Sequence, residues 1–202
     1  MTKPLSYATY LKLPELLSLQ VPQAKPVHLD EMQFIIVHQA FELWFKLVLH
    51  EIDDAVAALG GRRVPEAIRL MRRVVQIERL WLQQIHILET MTPSDFLRFR
   101  DLLGPSSGLQ SSQFRELEYV SGLKDPRYLE LFAPDPDAAA RLRARLSAPS
   151  LWDAFLNVLG LEPDSRDPAY AIDGVKEARL AALRGLYARP EHDELRDLAE
   201  AL

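Results

Sequence analysis

Between Asp30 and Asp54 the chain reads DEMQFIIVHQAFELWFKLVLHEIDD, and so dense a run of large apolar residues leaves few folds open. Met32, Phe34, Ile35, Ile36, Phe41, Leu43, Trp44, Phe45, Leu47, Val48, Leu49 and Ile52 occupy too many phases of a helical repeat for a surface helix. Most of the circumference is therefore expected to be buried, and the segment predicts a central helix around which the rest packs. Phe34, His38, Phe41 and Phe45 fall at i, i+4, i+7 and i+11, which sets an imidazole among three aromatic rings on one stripe. Two readings of His38 stay open at this point. It is a core histidine satisfied by a neighbouring carbonyl, or it is the polar handle, or proton acceptor, of a pocket for a flat aromatic ligand.

Residues 1–29 contain four prolines, Pro4, Pro14, Pro22 and Pro26, and predict an arm with a short helix around Leu11 to Leu19 and extended chain elsewhere. Tyr7 and Tyr10 stand on this arm, either tying it to a surface or contributing to a site in a neighbouring subunit. Gly60-Gly61 stops the central helix. The segment VPEAIRLMRRVVQIERLWLQQIHILETM then restarts one, with a stripe of Val64, Ile68, Met71, Val75, Leu82 and Ile85, so the pair is expected to form an antiparallel hairpin. Thr92-Pro93-Ser94-Asp95 is a helix start, with Thr92 as cap, Pro93 at the first helical position and Asp95 reaching back. That helix is expected to reach about Leu103, where Gly104-Pro105 ends it.

Phe96 and Arg100, four apart, share a face of it. An arginine so placed is either a snorkelling surface group or the bidentate partner of a buried carboxylate. The loop GPSSGLQSSQF follows, in which Ser106, Ser107 and Gly108 can offer hydroxyl and N–H groups to a ligand. Further helices are expected over 111–121, 136–146 and 149–159, then within AIDGVKEARLAALRGLYARP and from EHDELRDLAEAL, the last without a C-cap. No segment alternates with period two for long enough to make a strand, so the class is all-α, a single domain over 1–202.

A net charge of −5 spread without a basic block argues against a nucleic-acid or anionic-membrane surface and for a small molecule or protein partner. No run approaches eighteen or so uninterrupted apolar residues, and the start MTKPLSYATY lacks a signal peptide's basic and apolar regions, so a cytoplasmic location is expected. Zero cysteines removes disulfides, thiolate metal sites and cysteine nucleophiles together. There is no HExxH, and none of the five histidines follows a glutamate by three, so a non-haem metal site is not expected. Neither a phosphate-binding glycine loop nor GxSxG is present. What survives is an apolar aromatic pocket with His38 and Arg100.

YATYLKLPELLSLQ, DEMQFIIVHQAFELWFKLVLHEID and LETMTPSDFLRFRDLLGPSSGLQSSQFRELE, in this order and spacing, resemble the successive signature blocks of the tryptophan 2,3-dioxygenase family, and APDPDAAARLRARLSAPSLWDAFL continues the similarity. The resemblance implies an all-α bundle of the tryptophan/indoleamine dioxygenase type, a homotetramer using haem b and O2 to cleave the indole C2–C3 bond of L-tryptophan. The product is N-formylkynurenine, at the head of the kynurenine route of tryptophan degradation. It implies that His38 faces the indole N–H on the distal side without ligating iron, and that Phe34, Ile35, Ile36, Val37 and His38 form the substrate-contact block. Arg100 would clamp the carboxylate, with Phe96 beside it and Ser107 as the loop hydroxyl near the amino acid. Tyr7 and Tyr10 would reach into a neighbour's site.

This chain departs from the family pattern at Leu29, at Leu109 and at Ile85, where the family commonly has a histidine, an aromatic and, in some members, a tryptophan. In the family a helix beginning like DELRDLAEAL leads to one bearing the proximal histidine and then to a glycine-rich segment. Both are expected to be absent here, and His192 is not assigned as an iron ligand. Two further readings remain open: a non-catalytic helical binding or oligomerisation module, and a related haem-dependent oxygenase acting on another indole.

Overall fold

Thirty-two residues, Leu29–Gly60, form one uninterrupted helix, α3, longer at both ends than the apolar run that predicted it. The computed structural model describes residues 4–161, 177–188 and 193–201, which are helical or irregular with no strand among the described residues. α1 (Tyr7–Tyr10) and α2 (Leu13–Leu16) precede α3, and α4 (Val64–Leu88) and α5 (Pro93–Arg100) follow it. Then come α6 (Ser112–Ser121), α7 (Pro136–Ser147), α8 (Leu151–Val158), α9 (Glu177–Ala188) and α10 (Asp193–Ala201), with 3-10 turns at Asp101–Leu103, Gly108–Gln110 and Pro126–Phe132.

The residues group into two compact units, 1–41 with 82–106 and 42–81 with 107–202, so α3 and α4 each contribute to both. In the first unit the arm is more helical than expected. Ser6 caps α1 through a reciprocal pair with Thr9, which puts Tyr7 and Tyr10 on a helical turn rather than on extended chain. The arm joins α3 through Glu31, 1% exposed, whose carboxylate oxygens accept the Gln23 N–H at 2.5 Å and the Ala24 N–H at 2.9 Å. Gln33 Nε2 donates to the Ile87 carbonyl at 2.5 Å, fastening the start of α3 to the end of α4.

In the second unit Val48, Leu49, Ile52, Ala55, Ala58 and Leu59 of α3 are buried, as are Ala67, Ile68, Leu70, Met71, Val74 and Ile77 of α4. Tyr119, Phe132, Ala138, Ala139 and Leu142 form a further cluster. Glu116, nearly buried, accepts from Arg141 at 2.9 Å and Arg145 at 3.4 Å, and Arg145 also forks onto Asp53. α6 closes on Gly122, whose φ of 119° accommodates the left-handed cap that an L side chain resists.

Two expectations need correction. α3 is not buried around most of its circumference: Leu29, Met32, Ile36 and Leu43 are exposed, and their spacing of i, i+3, i+7 and i+14 makes one continuous apolar stripe. By length and composition alone α3 is also apolar enough to cross a membrane, although its C-terminal half packs in a core as core helices do. On α4, Leu82 and Ile85 are exposed, so the buried face ends at Ile77 and the stripe read from the sequence ran too far. The helices expected over 111–121, 136–146 and 149–159 lie within two residues of those bounds, whereas α5 stops at Arg100 and a 3-10 turn carries the chain on to Leu103.

Candidate functional site

The first unit gathers the aromatic residues of α3 and α5. Thr92 caps α5 by accepting the Asp95 N–H at 3.2 Å, while its hydroxyl donates to Asp95 Oδ2 at 2.6 Å, as the sequence predicted. This start fixes the rotation of α5, so that Phe96 and Phe99, three apart, both meet α3. Phe34 lies 5.7 Å from Phe96 and 5.7 Å from Phe99, centre to centre, and Phe96 lies 5.5 Å from Phe99. The Phe34 ring also sits 4.1 Å from that of His38.

His38 is half-buried, and its Nδ1 lies 2.7 Å from the Phe34 carbonyl oxygen. A carbonyl can only accept, so the neutral imidazole carries its proton on Nδ1 and leaves the Nε2 lone pair as a hydrogen-bond acceptor. The two readings of His38 are thus compatible: one nitrogen is satisfied by the helix and the other is left with an acceptor's chemistry. Arg100, half-buried at the end of α5, donates from Nη1 to the Gly104 carbonyl at 2.9 Å. Gly104 itself has φ of +54°, a conformation open chiefly to glycine, and it turns that carbonyl back toward the helix. The rest of the guanidinium fork keeps the directions needed to bind a carboxylate.

The five-residue block 34–38 does not line one surface. Successive helical residues point about 100° apart, and here Ile35 is half-buried, Ile36 exposed and Val37 buried, leaving Phe34 and His38 as the pair that shares the ring cluster. The stripe also divides. Phe41 is half-buried, and Phe45 is buried in the second unit, 5.2 Å from Trp81 and 5.7 Å from Phe114, where it is core. Ser107 belongs to that second unit and caps a 3-10 turn, its hydroxyl accepting the Leu109 N–H at 3.3 Å. Tyr7 and Tyr10 are largely exposed, so the described residues do not bring them into the cluster. Sequence reasoning missed Phe99, fully buried, and His28, whose ring lies 5.8 Å from it. The i, i+3 spacing of Phe96 and Phe99 was the available signal for the first.

A model of the tryptophan 2,3-dioxygenase family matches residues 1–172. The chain belongs to the tryptophan 2,3-dioxygenase family. A tryptophan 2,3-dioxygenase of a Nocardioides species is 47% identical over 203 residues, 98% of this chain and 74% of that protein. Those of Xanthomonas euvesicatoria and Xanthomonas campestris are each 48% identical over 155 residues, 77% of this chain and 52% of theirs. The chain therefore spans about three quarters of the first relative's length and about half of the others'.

For a tryptophan 2,3-dioxygenase, a family that uses haem, the histidines decide whether the described residues fit that group. His50 and His86 are exposed and lie beside carboxylates close in sequence, Asp54 at 3.7 Å and Glu89 at 2.9 Å. Neither has the apolar enclosure of an axial ligand. His28, Asp30 and Asp95 bring donor atoms within 4.8 Å of one another. There, however, His28 Nδ1 accepts the Asp30 N–H at 3.3 Å, which puts the proton on the Nε2 that faces Asp95 at 3.9 Å, and Asp95 Oδ2 is occupied by Thr92. This group caps two helices. Among the described histidines only His38 keeps an acceptor nitrogen on an apolar cluster, and the surroundings of His28, His50 and His86 do not fit those three to hold iron. His192 lies outside the described residues.

Proposed function

We propose that this chain carries the substrate side of a tryptophan 2,3-dioxygenase, acting on L-tryptophan and O2 to give N-formylkynurenine with haem b as the family's cofactor. The observation that supports this best is an acceptor-only imidazole nitrogen against the rings of Phe34 and Phe96, with Arg100 one helical turn beyond Phe96 on α5. In this reading the indole lies against Phe34 and Phe96 and its N–H donates to His38 Nε2, while the carboxylate takes the place of the Gly104 carbonyl on Arg100. From a second copy, Tyr7 and Tyr10 complete the enclosure. Haem, when bound, would supply the O2 chemistry, while these residues bind and orient the amino acid.

A homo-oligomer, a tetramer as in the family, is part of the same proposal. It is supported by the apolar stripe of Leu29, Met32, Ile36 and Leu43 and by an arm whose large apolar residues are mostly exposed. We read the chain as one dioxygenase-like domain of a cytoplasmic protein, since α3 and α4 run unbroken from one unit into the other.

The test is calorimetry with L-tryptophan on the chain, followed by incubation with haem, a reductant and O2 and mass analysis for N-formylkynurenine. Absence of both binding and product would remove the proposal. Binding without product supports a second reading, a module that binds an aromatic amino acid without turnover, which the placement of His28, His50 and His86 favours.

A further inference from the structure

Phe99 is fully buried, so it cannot itself touch a ligand, yet it is the ring on which the candidate site rests. It meets Phe34 edge-on at 68° and Phe96 at 87°, while Phe34 and Phe96 are tilted only 33° to each other. These edge-to-face contacts match the electrostatic preference of aromatic pairs, in which a ring's positive edge meets another's negative face. Phe34 in turn lies 4.1 Å from the His38 ring and supplies the carbonyl that holds His38 Nδ1. On its other side in sequence Phe99 precedes Arg100, so its burial also fixes the backbone that carries the guanidinium. A single side chain therefore anchors both rings of the proposed indole slot and, through Phe34, the imidazole.

We propose that Phe99 is a positioning residue that sets the tilt of Phe34 and Phe96 and the direction of His38 Nε2, and so sets the preference of the site for an indole over a smaller aromatic ring. The inference rests on the reading that this cluster binds L-tryptophan. An aliphatic side chain can fill the volume of Phe99 without fixing ring tilt, because it has no edge to present to a π face. Methionine lies between the two, since its sulfur makes directional contacts with aromatic rings.

The test uses the full chain, unmodified and as Phe99→Leu and Phe99→Met, with affinities for L-tryptophan and L-phenylalanine from calorimetry and the 15N spectrum of the His38 ring. Losing one aromatic pair should lower the ratio of the two affinities by about two- to tenfold in Phe99→Leu, with part of the ratio regained in Phe99→Met. The His38 nitrogens should move from the Nδ1-protonated pattern toward a mixture of tautomers. If Phe99→Leu weakens both ligands equally, or leaves the His38 pattern unchanged, Phe99 is packing and nothing more. The Met variant carries the same readouts should the Leu variant not fold. Failure of the unmodified chain to bind L-tryptophan would instead remove the reading on which the inference stands.

Discussion

Removing the guanidinium of Arg100 should separate binding from folding. In the ligand-free chain Arg100 Nη1 donates to the Gly104 carbonyl at 2.9 Å, a single bond to a neutral acceptor at the end of α5. Its loss in Arg100→Ala should cost about 0.5–1.5 kcal/mol of stability, which for a chain of this size lowers Tm by roughly 1–6 °C. The bound state differs, because the fork would then face a carboxylate, and hydrogen bonds to charged groups contribute about 1.5–3 kcal/mol. Arg100 is half-buried, so solvent screening favours the lower part of that range. About 1.5–2 kcal/mol corresponds to a roughly 10- to 30-fold weaker affinity for L-tryptophan. Arg100→Lys keeps the charge and loses the fork, and should fall between the two. Calorimetry gives the affinity and a thermal melt the stability. An Arg100→Ala chain that binds L-tryptophan within twofold of the unmodified chain would refute the carboxylate role, whatever its Tm.

His38→Ala should weaken L-tryptophan by about 2- to 12-fold, the loss of one neutral hydrogen bond. An N1-methylated analogue, which has no N–H to donate, should not respond to the substitution, and equal losses for both ligands would count against Nε2 as the acceptor. Tyr119 donates to the Asp125 carbonyl at 2.5 Å, and burial, followed by the Asp125 and Glu118 carboxylates, raises its phenol above the ordinary value. The folded chain thus keeps a proton that the unfolded chain releases near pH 10, so this stabilisation is complete below about pH 10 and is lost as pH rises through the folded value. Tyr119→Phe should lose about 1 kcal/mol at pH 8 and show a shallower decline in Tm above pH 10, whereas a parallel decline would sink the linkage. Ser150, almost fully buried, caps α8 in a reciprocal pair with Asp153, and Ser150→Ala should lower Tm by about 2–4 °C for a cap of about 1 kcal/mol.

The helices were legible because their punctuation is local. Thr92-Pro93, Gly122 and Asp135-Pro136 act within a turn of themselves, and each sits in the structure where its chemistry places it, whereas the start expected at residue 149 falls two residues later because Ser150 caps α8. Which face of a long helix is covered is not local. The stripe Phe34, His38, Phe41 and Phe45 reads as one surface in sequence, yet it is shared between two packing environments, because neighbours far along the chain, Phe99 and Trp81, decide what each ring meets. The exposed stripe of Leu29, Met32 and Ile36 escaped for the same reason, since apolar phase alone does not tell burial in this chain from burial elsewhere. His38 and Arg100 were found by type and spacing, whereas the tautomer of one and the Gly104 tether of the other needed atomic positions.

Glu31 has a consequence for which sequences this arm can tolerate. Both of its oxygens accept backbone N–H groups, and its burial leaves no water to substitute for either. Glutamine matches it in shape, but it would turn an NH2 toward one of those amides, donor against donor. A substitution conservative by size should therefore free residues 23 and 24, and a protease that trims the unmodified chain no further than about Gln20 should cut the Glu31→Gln chain up to the threshold of α3.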